Sequence, residues 1–115
     1  MKNTLPLRLR FDVFELDLQS GELHKSGRRV VLQGQPFQIL RMLTEHAGAI
    51  TTREEIQQQL WPNHTVVEFE HGINAAIEQL RVALGDSADN PKYLETVARR
   101  GYRLLVPVER AESTS

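Results

Sequence analysis

The chain has 115 residues, a formal net charge of −1, 40% hydrophobic and 25% charged residues, and no cysteine. That is one domain's worth of ordinary globular composition, which excludes wholesale disorder, a disulfide framework and a thiolate metal site. The near-neutral balance argues against a uniformly basic coat, although a local basic patch depends only on where the charges sit. Residues 1–7 form a polar lead without the apolar stretch of a signal peptide, so a cytoplasmic location is expected.

The first third predicts strands. Leu9, Phe11 and Val13 alternate with polar residues, the phase then slips, and Phe14, Leu16 and Leu18 continue the alternation. Such a slip predicts a bulge or bend between two strand segments. Turns at Ser20-Gly21 and Ser26-Gly27 bracket Glu22–Lys25, and Arg28–Leu32 supplies another β-branched run, as in a small antiparallel meander. The period then becomes helical. Phe37, Leu40, Leu43 and Ala47 follow Pro36 and end at Gly48. A second helix starts at Thr51 or Thr52, each with a Glu three residues on, and stops at Trp61-Pro62. After a loop over 63–69, a third helix spans about Glu70 to Leu84, with Ile73, Ile77, Leu80 and Leu84 on its inner face. Tyr93–Val97, Ala98–Gly101 and Tyr102–Val106 read strand, turn, strand.

Helix, loop and longer helix, followed by a hairpin, describe a helix-turn-helix with a wing. With the apolar stripe inward, His71, Ala75, Glu78, Gln79 and Val82 turn outward, and Asn74 and Arg81 share one flank. Asn and Gln pair bidentately with adenine, Glu accepts from cytosine, and Ala contacts a thymine methyl. Arg81 is the only Lys or Arg of this helix, opposed by Glu70 and Glu78. The wing carries Arg99, Arg100 and Arg103, and Arg99-Arg100 at its tip suits phosphate or an adjacent minor groove. The N–H groups near Thr52 and the indole of Trp61 are further candidate phosphate donors. No nucleophile elbow, phosphate loop, dinucleotide fingerprint or paired histidine spacing occurs, so neither an enzyme nor a metal or cofactor site is expected.

The run Leu80-Arg81-Val82-Ala83-Leu84-Gly85-Asp86, followed by Asn90-Pro91-Lys92-Tyr93-Leu94-Glu95-Thr96-Val97-Ala98-Arg99-Arg100-Gly101-Tyr102-Arg103, with Thr51–Ile56 and Leu60-Trp61-Pro62 upstream, resembles the OmpR/PhoB-type winged-helix DNA-binding domain, in its CadC-like branch. The resemblance implies an α+β fold: an N-terminal four-stranded antiparallel sheet, three helices and a C-terminal β-hairpin wing. It implies a winged-helix domain over 8–109 and a tail or linker over 110–115, leading to a possible downstream region. The third helix would read the major groove through Asn74, Ala75, Glu78 and Gln79. Arg81, Trp61 and Tyr102 would contact the DNA backbone, and Arg99 and Arg100 would sit in the wing. The family's inserted arginine matches Ala98 here. The function implied is sequence-specific double-stranded DNA binding for transcription regulation, by a homodimer on paired half-sites, without membrane contact by this segment. The alternative is an interaction module of the same fold docking a regulatory partner or RNA polymerase; wing arginines tied up by Glu95 or Glu109 would favour it.

Overall fold

The computed structural model describes residues 8–110. Four strands come first, β1 (Arg8–Phe11), β2 (Phe14–Asp17), β3 (Glu22–Lys25) and β4 (Arg28–Val30). Then follow α1 (Gln35–Glu45), β5 (Ile50–Thr52), α2 (Arg53–Leu60), α3 (Val66–Leu84), β6 (Leu94–Val97), β7 (Gly101–Leu104) and β8 (Glu109–Arg110). The expected N-terminal sheet is present in meander order, with β8 added on its free edge beside β1. Arg110 therefore belongs to a strand, opposite Leu9, rather than to a tail. The lead over 1–7 and the remainder of the tail, 111–115, lie outside the described residues.

The expected bulge or bend between two strand segments takes the form of a hairpin turn at Asp12-Val13, with Phe11 of β1 directly opposite Phe14 of β2. A step of three residues through a two-residue turn brings both rings to one face, where they stack at 5.3 Å. Asp12 takes φ 54°, which Asp tolerates better than most residues.

α3 starts about one turn earlier than the apolar stripe predicts. Thr65 caps it, its hydroxyl accepting from Glu68 N–H, while the Glu68 carboxylate accepts from Thr65 N–H. Ile73, Ile77, Leu80 and Leu84 are all buried, as the stripe requires, and join Phe37, Leu40 and Leu43 of α1 in the core. Gly85 closes the helix in the left-handed conformation.

β5 was not expected. Its three residues pair with β7, so the wing is a three-stranded sheet of order β5-β7-β6. Gly101 makes this pairing feasible, because a Cβ there would lie 2.1 Å from the Thr51 carbonyl oxygen. The sheet runs directly into α2, whose N-cap is the last residue of β5. No helix among the described residues is long and apolar enough to cross a membrane.

Candidate nucleic-acid interface

α3 is buried along one side and open along the other. His71, Asn74, Ala75, Glu78, Gln79 and Val82 are exposed, so all five outward residues read from the period are outward in the structure, and Asn74 joins them. Val82 is 72% exposed and Val31, beyond β4, is 77% exposed. Both border a cleft of about 510 Å³ that also includes Leu32, Ala83, Glu78 and Gln79.

Arg81 is not on that face. It is 9% exposed, and its Nη2 donates to the Leu94 carbonyl at 2.9 Å and to Thr96 Oγ1 at 3.0 Å. The side chain leaves α3 toward β6 and fastens helix to wing. This tells against its assignment as a phosphate contact: Nη2 is committed to β6, and Nε is buried without a hydrogen-bond partner.

The wing tip is open. Val97 O accepts from Arg100 N–H at 2.9 Å, closing a turn over Val97–Arg100 in which Arg99 has φ 67°. A positive φ at the third turn position is where glycine or asparagine is ordinarily found, so an arginine there holds the backbone at a cost of about 1–2 kcal/mol. Both Arg99 and Arg100 are exposed, and neither has a carboxylate within ion-pair distance among the described residues. Arg103 differs, being held by Glu95 through two hydrogen bonds of 2.9 and 2.7 Å. The tip is anchored to the start of α2 by Arg53 N–H donating to Arg100 O at 3.0 Å.

Three more expected contacts are committed inside the molecule. Thr52 is the N-cap of α2: its hydroxyl accepts from Glu55 N–H, and its own N–H donates to the Glu55 carboxylate. With Arg53 N–H also taken, and Glu54 and Glu55 in the first turn, this helix start is a poor anion site. Trp61 is 4% exposed and packs edge-on against Phe69, with its indole over Gly72. A Cβ on Gly72 would lie 2.7 Å from the indole nitrogen, so this glycine is what admits the ring. Tyr102 is 3% exposed, and its hydroxyl accepts from Arg53 Nη1 at 3.4 Å.

Arg53, which sequence reasoning missed, is the hub of this region. Its guanidinium donates to the Glu70 carboxylate of α3 and lies 5.3 Å from the centre of the Phe69 ring. Its partners are 16 to 49 residues away in the chain, so no local pattern signals the role. Asp86 plays the corresponding part after α3. Its carboxylate accepts from the N–H groups of Lys92, Tyr93 and Leu94 at 2.7, 3.2 and 2.9 Å, folding the connection that leads into β6. Burial pushes this carboxyl's pKa up, but those backbone donors outweigh it and hold the group below its ordinary value.

Comparison with known proteins agrees with this architecture. The chain is 32% identical over 88 residues to the transcriptional activator CadC of Escherichia coli, covering 76% of this chain and 17% of that protein. It is 34% identical over 105 residues to the cholera toxin homolog transcriptional activator of Vibrio parahaemolyticus, covering 89% and 36% respectively. The chain thus spans a minor part of these curated relatives. Among solved structures, the DNA-binding domain of E. coli CadC superposes with a TM-score of 0.74 at 26% identity, covering 94% of this chain and all of that one. The Klebsiella pneumoniae RstA DNA-binding domain, solved in complex with the RstA box, gives a TM-score of 0.74 at 26% identity, covering 85% and 96%. Residues 27–104 match the family described as "Transcriptional regulatory protein, C terminal", and the chain belongs to that family of OmpR/PhoB-type winged-helix domains.

Proposed function

We propose that this chain binds double-stranded DNA sequence-specifically for transcription regulation, with α3 in the major groove and the β6–β7 wing on phosphate and the adjacent minor groove. One observation carries the reading. A helix face bearing Asn74, Ala75, Glu78 and Gln79 is open, and the neighbouring wing ends in two exposed arginines without carboxylate partners among the described residues. Arg81 sets the wing against the helix, and the hydrogen bond between Arg53 N–H and Arg100 O fixes its tip. The mechanism is non-covalent: guanidinium–phosphate contacts set the register, and side chains at base edges give the sequence preference. Support comes also from the RstA relative, which was solved on its DNA box.

With Arg81 buried, α3 offers phosphate no cation, and one copy binds weakly. A homodimer on paired half-sites compensates through effective concentration. A genomic target fits the cytoplasmic location expected from the sequence.

The interaction-module reading draws on Arg103, a wing arginine tied up by Glu95, and on Val66 and Val67, 69% and 66% exposed side by side at the start of α3, a surface fit for docking RNA polymerase or another protein. A mobility shift on a randomised duplex pool separates the two. DNA binding predicts a shifted complex whose affinity falls steeply between about 50 and 200 mM salt. A docking module predicts no shift at either salt.

A further inference from the structure

The burial of Arg81 changes what α3 is able to read. Guanine is recognised in the major groove chiefly by the Lys or Arg fork on its O6 and N7. α3 contains one such residue, and the structure commits it to Leu94 O and Thr96 Oγ1. What remains outward is a set with a different preference. Asn74 and Gln79 match adenine bidentately, Ala75 and Val82 match a thymine methyl, and Glu78 accepts from the cytosine amino group. His71 has ring nitrogens to offer a base edge but no guanidinium fork. Val82 does not stand alone: it and Val31 border one cleft, which Leu32 and Ala83 line together with the polar Gln33, Glu78 and Gln79.

The wing points the same way by independent physics. Narrow A·T minor grooves concentrate negative potential and attract arginine. The wing presents Arg99 and Arg100 on a turn whose positive φ at Arg99 holds the tip in a conformation unusual for that residue. Glu78 on the outward face of α3 repels phosphate, whereas Glu70 is paired with Arg53, so the unpaired Arg99 and Arg100 supply the charge that α3 lacks.

Resting on the DNA-binding reading above, we infer that the half-site selected by this domain is A·T-rich and is read without a guanine contact: adenine edges and thymine methyls meet α3, and a narrow minor groove meets Arg99 and Arg100. Glu78 admits a cytosine at the one position it faces.

The test starts by selecting bound duplexes from a randomised pool with the 115-residue chain. Affinities are then measured on altered copies of the selected site. Uracil for thymine removes only the methyl, 7-deazaguanine removes only guanine N7, and inosine·cytosine keeps an A·T-like minor groove while changing the major groove. The expected result is an A·T-rich site. Uracil at the positions facing Ala75 and Val82 lowers affinity about 4-fold at each, the effect of exposing one buried methyl group. Inosine·cytosine costs affinity under α3 but not under the wing, and 7-deazaguanine costs nothing. Glu78→Arg adds guanine to the preferred site at one position. A selected site with a required guanine, whose 7-deaza replacement lowers affinity by about 5-fold or more, overturns the inference while leaving DNA binding intact. Failure to retain any duplex overturns both, so the two failures are distinguishable.

Discussion

Arg81 and Thr96 lie 15 residues apart in the chain, yet the guanidinium of one donates to the hydroxyl of the other at 3.0 Å, and the same Nη2 holds the Leu94 carbonyl. The angle between reading helix and wing therefore depends on a buried arginine. Arg81→Ala leaves that carbonyl without its donor and is expected to lower stability by about 1–3 kcal/mol. DNA affinity falls because the wing loses its placement, while the slope of log affinity against log salt stays that of the parent chain. A direct phosphate contact would instead reduce that slope by about 0.9. Chemical denaturation alongside salt titration separates these cases.

Gly72 and Trp61 form a second dependency. Gly72→Ala places a Cβ 2.7 Å from the indole nitrogen, so the ring must move out of its position against Phe69. Overpacking of this kind costs about 1–3 kcal/mol, despite alanine's better helix propensity. Thermal melting followed by the fluorescence of the single tryptophan reads both the loss of stability and the displaced ring.

Arg99 should separate stability from binding. Arg99→Gly removes the penalty of a positive φ on a residue with a Cβ, offset by the greater freedom glycine gives the unfolded chain. Its melting temperature is expected to equal or exceed the parent's, while DNA affinity drops. Arg99→Ala loses the charge and keeps the strain, so it binds equally weakly without the gain. A lower melting temperature for Arg99→Gly would show that the arginine supports the fold rather than the ligand.

The carboxyls of Asp12, Asp17, Glu55 and Asp86 are all held below their ordinary values. The Tyr93 hydroxyl does this for Asp12, and backbone donors do it for Glu55 and, against an opposing burial effect, for Asp17 and Asp86. A depressed folded-state pKa contributes stability that is complete above the unfolded value and is lost as pH falls through the folded one. Stability should therefore hold down to roughly the ordinary values of 3.8 for Asp and 4.5 for Glu and decline below them. Asp86→Asn lowers stability at neutral pH and flattens part of that acid decline, measurable as the denaturation midpoint at several pH values.

Periodicity carried most of the fold into view. The stripe Ile73/Ile77/Leu80/Leu84 fixes which side of α3 is inward, and the exposed reading face follows from it. The missed features depend on partners rather than local pattern. β5 and β8 have three and two residues, too few to show alternation, and exist because β7 and β1 offer them edges. The first turn of α3 was within reach, since Thr65 and Glu68 repeat the spacing of Thr52 and Glu55. Gly72, an unfavourable residue inside a helix, was a signal that something bulky lies close, and that something is Trp61. Arg81 borders the apolar stripe, and only its distant acceptors on β6 decide that it turns inward.

Whether the wing tip grips the phosphate backbone is read most directly from the salt dependence of duplex binding, for the parent chain and for Arg99→Ala/Arg100→Ala on one selected site. Steep weakening with salt is expected for the parent. The double variant should show a slope shallower by about 1.8, which is about 0.9 for each of the two phosphates it no longer neutralises. Parallel slopes for the two proteins, or parent binding indifferent to salt, would contradict a phosphate-gripping wing.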